Sequence, residues 1–489
     1  MKRSLVHNAA YNFIYQLLNV LFPLLSASYL SRVLLPAGMG KMDYAQNILS
    51  YFVMVAGLGL SAYGTREIAK CHGDRQKTDA VFSELLILCA AATALCAAAY
   101  VCLCRLLFPE DLTFYLIVGT ELVFGCLGLD WFCQGTEEYG YIALRNAVVK
   151  IVSFAALLLF VKDRDDCLRY AVIHSLSVGC GSCCNVVYAF RRVKLTAVRR
   201  SVKRHLRPLL HLTGGAVAAG LYTRLGVTVL GRICGVEAVA YYTNADKVCG
   251  MALCLVTAAT AVFLPRLSYL YDNERERFHQ CLTDGLKIAL LLAVPAAVGM
   301  ALVAENLVGS LFGAAFLPAA QTLRIFAVLT VVKGAGDLLC YQAVISSGRE
   351  KELLPPRVAA GVVSLMLSAL LIPRYGHNAS ALALVAGELT VNGWLLRRTL
   401  SVAKVRLRAG FCISVAVSAA VMAAVVSGIQ RWMEPGVLSL AAAVLGGVIS
   451  YAAMLFVTRN EMIRRRTERG EPLWEEIAAT ERKEDIWKR

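Results

Sequence analysis

The sequence predicts an all-α integral membrane protein of about fourteen transmembrane helices, and three observations carry that prediction. Of its 489 residues 58% are hydrophobic, with a mean hydropathy of +0.60, whereas soluble domains hold roughly 45–50% apolar residues. Apolar stretches recur at about the 20 residues that a helix needs to cross a bilayer. Lys and Arg gather in alternate loops, as the positive-inside tendency requires.

The first stretch, "NAAYNFIYQLLNVLFPLLSASYLSR", begins near residue 11 and carries Asn12, Gln16 and Asn19, followed in the same rhythm by Pro23 and Ser26. That spacing places the amides on one helical face. Amides are costly against hydrocarbon, so the face should meet neighbouring helices or a water-filled cavity. A charged start before an apolar run also fits a signal peptide, but no small-residue cleavage site precedes Ser31-Arg32, and the run reads as the first span. Further spans start near residues 43, 80, 112, 142, 168, 208, 238, 284, 319, 353, 377, 409 and 436.

With the N-terminus inside, the inner loops hold Arg66, Lys70, Arg75 and Lys77, then "RRVKLTAVRRSVKRHLR", Arg275 and Arg277, Arg397 to Arg408, and the Arg464 to Arg466 tail. The outer loops hold isolated cations such as Lys41, Arg105 and Arg374. Topology thus explains most of the +16 net charge, and no nucleic-acid partner is expected. Both termini should be cytoplasmic. The seventeen Cys fall mostly inside spans, as small apolar residues rather than a disulfide framework. The CxxC of Cys180 and Cys183 lacks a second ligand pair for a metal.

Shifting the chain by 200 residues pairs Arg32 with Arg232, Ala45 with Ala245 and Arg66 with Arg266, at matching topological positions. This is the pattern of a parallel repeat, with a pathway expected where the halves meet. The expected domains are a six-helix bundle over 1–190, a basic cytoplasmic connector over 191–207, a second six-helix bundle over 208–400, two additional helices over 401–458, and a cytoplasmic tail over 459–489.

Four stretches carry a family resemblance: "YLSRVLLPAGMGKMDYAQNILSYF", "GLGLSAYGTREIAK", "YYTNADKV" with "FLPRLS" after it, and "LLIPRYGHNASALALVAGE". Over Asn8 to Glu388 the chain resembles the polysaccharide-transport branch of the multidrug/oligosaccharidyl-lipid/polysaccharide exporter superfamily, flippases of undecaprenyl-pyrophosphate-linked repeat units. The resemblance implies two parallel six-helix bundles around a central cavity, with alternating access between the leaflets of a bacterial cytoplasmic membrane. It implies lipid-linked oligosaccharide and membrane lipids as partners, with a polysaccharide polymerase and a chain-length regulator downstream. There are two departures. "LYTRLGVTVLG" has Arg224 and then Gly226 where the family leads one to expect an acid, and "SLMLSA" lacks the usual Asn before "LLIP".

A pyrophosphate-sugar cargo needs cations for phosphate and amides for sugar. Candidate substrate contacts are Asn12, Gln16, Asn19 and Asn47 for sugar, and Arg224, Lys150, Arg32 and Arg66 for phosphate. Arg224 leads because it lies about 10 Å below the expected outer end of its span. Glu121, Glu388 and Asp246 are candidates for H+ or Na+ coupling, with Lys247 beside Asp246 pointing to a structural pair. No cofactor is expected. A drug or cation antiporter and a lipid II flippase of the same superfamily are the alternatives. From another class, a membrane glycan polymerase or glycosyltransferase would use Asp163 and Asp165 of "KDRDD", though that loop lies outside, away from nucleotide sugars. No GxxxxGK[ST] phosphate loop is present.

Overall fold

The computed structural model describes residues 5–71, 73–196, 202–458, 460 and 462, with side chains from Phe22 onward except at 202, 203, 216, 219 and 402. The side chains of Asn12, Gln16 and Asn19 lie outside the described residues, as do residues 197–201 of the connector and most of the 459–489 tail.

All regular structure described is helical. In chain order it comprises α1 (Leu5–Ala56), α2 (Leu60–Lys70), α3 (Arg75–Leu107), α4 (Leu112–Cys126), α5 (Asp130–Gly135), α6 (Tyr139–Phe160), α7 (Cys167–Phe190), α8 (Val202–Cys234) and α9 (Val236–Ala261). Then come α10 (Phe263–Asn273), α11 (Arg275–Leu302), α12 (Ala304–Phe312), α13 (Ala319–Gly336), α14 (Ala343–Ser346), α15 (Leu354–Val402), α16 (Ala409–Trp432) and α17 (Val437–Val457). A π-helical segment, Asp337–Gln342, joins α13 to α14.

Among the described residues ten helices are long and apolar enough to cross a membrane, or eleven if the bent pair Arg204–Gly215 and Gly220–Cys234 counts as one span. The sequence leads one to expect about fourteen. Much of the difference lies in two helices of 49 and 52 residues, Phe22–Lys70 and Glu350–Ser401. At 1.5 Å per residue each is about two and a half times the 30 Å hydrocarbon core. Both are broken. Within α1, Leu35 leaves helical geometry at φ 57, ψ 179. Pro36 follows it, and a proline disfavours the helical region for the residue before it. Within α15 the break is at Gly376, φ 54 and ψ −132, a conformation a glycine reaches without a Cβ clash.

The chain forms two compact units. The first comprises Met1–Met251, Leu311–Thr322 and Lys351–Val391, and the second Ala252–Ser310, Leu323–Glu350 and Asn392–Arg489. In the first, α1 packs on α3, α4, α6, α7 and α8. The short α2 and α5 cross so closely that a Cβ at Gly64 would come within 2.8 Å of the Trp131 ring, and one at Gly135 within 2.8 Å of Ile68. In the second, α16 packs on α17 and α11. There a Cβ at Gly446 would meet Ile429 at 2.8 Å. Lipid offers no hydrophobic drive between helices, so close approach at small residues is what gains dispersion energy.

Candidate functional site

The second arm of α1, residues 36–56, carries Asp43, Gln46, Asn47, Ser50 and Tyr51 at three- and four-residue spacing, hence on one stripe. Its contacts lead to three helices, α9, α4 and α8. Asp43 accepts hydrogen bonds from the Thr243 hydroxyl of α9 and from Lys247 Nζ at 3.2 and 3.3 Å. Gln46 Nε2 donates to Glu121 Oε1 of α4 at 2.8 Å. Asn47 Nδ2 donates to Thr228 Oγ1 of α8 at 2.8 Å, and the Tyr51 hydroxyl meets the same oxygen at 2.7 Å.

Arg224 is exposed on α8, one turn before Thr228, whose hydroxyl reaches the Arg224 carbonyl at 3.4 Å. Its guanidinium lies within Coulombic reach of Tyr51 and Tyr242. Because α8 runs on to Cys234, Arg224 is ten residues, about 15 Å along the helix, from that end. Asn47 is 2% exposed, and its Oδ1 has no hydrogen-bond partner among the described residues. A cation, an amide, a phenol and a hydroxyl thus converge on one patch. Such a set is suited to an anionic, polyhydroxylated head group.

Glu121 is buried and accepts from Gln46, from His174 Nδ1 at 2.8 Å and from the Ser175 hydroxyl at 3.3 Å. Glu388, also buried, accepts from the Tyr222 hydroxyl at 3.0 Å, and Arg357 lies within Coulombic reach of that tyrosine. Asp246 is on the exposed side of α9. The expected pairing of Lys247 with Asp246 is corrected by the structure: Lys247 turns to Asp43, since successive residues on a helix do not face each other.

The other cation candidates sit apart from this patch. Lys150 is half-buried with Nζ 5.6 Å from the Phe22 ring centre, an interaction that desolvation strengthens. Arg66 is exposed, bonds Glu67 at 3.3 Å and lies 5.2 Å over the Tyr63 ring. Arg32 is exposed near the Leu35 break. In "KDRDD" it is Asp166 that is engaged, accepting from the backbone N–H groups of Lys162 and Asp163 at 2.9 and 3.1 Å. These bonds hold its carboxyl below the usual carboxylate range. Among the described residues no group of three His, Cys, Asp or Glu is placed to hold a metal ion.

Sequence reasoning missed two buried charged clusters. Arg145 pairs with Asp130 at 2.9 Å and donates to Asn146 at 2.7 Å, while Asn185 donates to the same Asp130 oxygen at 3.0 Å. His205 bridges the Tyr63 hydroxyl at 2.7 Å and Glu84 at 2.9 Å. Near it, the first residues of the basic connector are strapped to α3, Lys194 N–H on Asp79 and Thr196 N–H on Ser83, both at 3.0 Å.

The family model described as "Polysaccharide biosynthesis protein" matches residues 5–271, more than half of the chain. The chain belongs to that family. A putative O-antigen transporter of Escherichia coli (strain K12) is 24% identical to this family member over 401 residues, 81% of this chain and 96% of the relative. A probable flippase of Haloferax volcanii, AglR, is 27% identical over 242 residues, 48% of this chain and 50% of its own length. Among solved structures, the lipid II flippase MurJ in an inward closed conformation superposes with a TM-score of 0.72 at 14% identity, over 94% of this chain and 100% of that one. An inward-facing multidrug-resistance MATE transporter of the MOP superfamily gives 0.63 at 15% identity, over 78% and 94%. At those identities the likeness shows the fold, and the fold is that of multi-pass transporters. This member of the polysaccharide biosynthesis family is a membrane transporter and not an enzyme.

Proposed function

We propose that this chain is a flippase that carries undecaprenyl-pyrophosphate-linked oligosaccharide repeat units from the cytoplasmic to the outer leaflet by alternating access, for O-antigen, capsule or exopolysaccharide synthesis. The observation that carries this reading is the similarity to the O-antigen transporter over 81% of this chain and 96% of that one. The convergence of Arg224, Asn47, Tyr51 and Thr228 supports it, with the cation for pyrophosphate and the neutral donors for sugar. Lys150, Arg32 and Arg66 keep proposed roles along the path of the phosphate. Asn12, Gln16 and Asn19 keep theirs toward sugar. A drug antiporter would favour open acids, whereas Glu121 and Glu388 both accept bonds from neighbouring side chains.

Fourteen crossings follow if the Leu35 and Gly376 breaks each divide a long helix into two arms, the bent α8 crosses once, and α13 with its π segment crosses once. An even count keeps both termini on one side, and the cations of the expected inner loops favour the cytoplasmic face of a bacterial inner membrane. Among the coupling candidates Glu121 has the most support, since an imidazole and an amide already share its carboxylate. Glu388 and Asp246 stay second, and H+ and Na+ both remain proposed. A polysaccharide polymerase and a chain-length regulator are the proposed protein partners.

Deletion of the gene in a strain with no second flippase tests the reading. Lipid-linked repeat units should accumulate on the cytoplasmic leaflet and surface polysaccharide should vanish. Normal surface polysaccharide would refute it.

A further inference from the structure

Within the first unit, residues 200 positions apart, the spacing of the repeat expected from the sequence, touch one another. Asp43 hydrogen-bonds Thr243, a residue 200 positions on, and Gly40 lies against α9 beside its own equivalent, Ala240. A Cβ added at Gly40 would meet the Val236 carbonyl oxygen at 1.8 Å and the Ala240 Cβ at 3.3 Å, so only glycine permits this approach. Equivalent positions touching in register is what a local two-fold axis produces, because a surface on the axis must contact itself. Lys247, the equivalent of Asn47, completes the seam by holding both carboxylate oxygens of Asp43. One turn further along, Tyr44 packs on Gly231, where a Cβ would come within 2.4 Å of two ring atoms. The seam lies at the end of the unit where α1 breaks at Leu35 and α8 hands over to α9 at Gly235.

We propose that the Asp43–Thr243–Lys247 seam is a latch that holds the second arm of α1 closed on α9, and that its parting opens the transport path at that end of the bundle. This rests on the flippase reading for its purpose, though not for its geometry. The chemistry suits a reversible closure. A carboxylate, a hydroxyl and an ammonium give up water when the faces meet and regain it when the gap floods, so both states satisfy their hydrogen bonds. An all-apolar seam would expose its surface to water on opening. Removing the negative charge alone should bias the equilibrium toward the parted state, because Lys247 then loses its counter-ion in the closed one.

Two measurements on the full chain test the latch. The first is amide hydrogen exchange in lipid nanodiscs. Asp43→Asn should speed exchange about fivefold in peptides covering 36–51 and 236–249 while α16 and α17 keep the parent rate. The charge-exchanged chain, Asp43→Lys with Lys247→Asp, should return toward the parent. Parent-like exchange in Asp43→Asn, or no recovery in the exchanged chain, overturns the latch. The second is a tether. Asp43→Cys with Thr243→Cys, oxidised in membranes and compared with each single substitution, should stop translocation of an undecaprenyl-pyrophosphate oligosaccharide, and reduction should restore it. Equal translocation in both redox states also overturns the latch. Should the unsubstituted chain itself translocate nothing, the flippase reading falls while the exchange result still decides the latch.

Discussion

Arg224 carries a permanent charge ten residues, about 15 Å along the helix, before the end of α8. Its charge acts on the Tyr51 and Tyr242 hydroxyls. A guanidinium so placed is suited to bidentate contact with a phosphate. Arg224→Ala should lower export by about tenfold or more, the scale of a lost charge-assisted hydrogen bond. Arg224→Lys should retain part of the activity through charge without the fork. Export normalised to membrane protein level is the measurement, and full activity of Arg224→Ala would remove Arg224 from the site. Arg224, Glu121 and Glu388 were legible in the sequence because an ionisable residue inside an apolar stretch stands out. Asp43 was not, because it sits at the expected start of a span and reads as a loop charge. His174 was a lone imidazole whose partner, Glu121, lies 53 residues away, and no local pattern links the two. Lys247 was misassigned because sequence adjacency suggested Asp246, where helix geometry sends neighbours about 100° apart.

Helices show the same division. Hydropathy finds apolar stretches well, and the expected start near 377 falls beside the Gly376 break. It left residues 33–42 as a loop, yet α1 resumes at once after a single non-helical residue, because Pro36 needs no N–H partner at the start of a helix. The short helices α2, α5, α10 and α12 were invisible for a related reason, being too short to register as spans. Leu35 itself is strained, since φ 57 with ψ 179 falls in a region nearly confined to glycine, at a cost of about 1–3 kcal/mol. Leu35→Ala and Leu35→Gly remove almost the same side-chain contact, but only glycine relieves the backbone. Leu35→Gly should therefore be more stable than Leu35→Ala by about 1 kcal/mol, the reverse of the order inside a helix. Thermal unfolding of the two variants in the same detergent measures this, and equal melting temperatures would show that the Leu35 conformation is unstrained. A second comparison concerns α5, α6 and α7. Arg145→Ala removes the buried guanidinium that pairs with the half-exposed Asp130 and should cost about 1–3 kcal/mol, whereas adding Asp130→Ala should cost little more. Additive losses in the same unfolding assay would argue against coupling.

At the scale of the whole molecule the question is what drives cargo outward. A pyrophosphate head carries negative charge, and with the inside negative each outward-moving charge gains about 2.3 kcal/mol per 100 mV. Two charges then gain about 4.6 kcal/mol, roughly three powers of ten in the distribution between leaflets. Coupling is therefore not required by energetics, and if Glu121 with His174 takes a proton, that contribution adds to the electrical one. The two are separable in proteoliposomes. A potassium diffusion potential, inside negative, should speed outward flipping in the parent and in Glu121→Gln alike, because the charge on the cargo responds to it. A pH gradient at zero potential should act on the parent only, since Glu121→Gln keeps an amide able to bond Gln46 and Ser175 but can no longer hold a proton as a carboxylate. If Glu121→Gln keeps the full response to the pH gradient, Glu121 is not the coupling group. If neither chain responds to pH while both respond to potential, flipping is driven by the cargo's own charge, and the Glu121–His174 pair serves to fix α1 against α4 and α7.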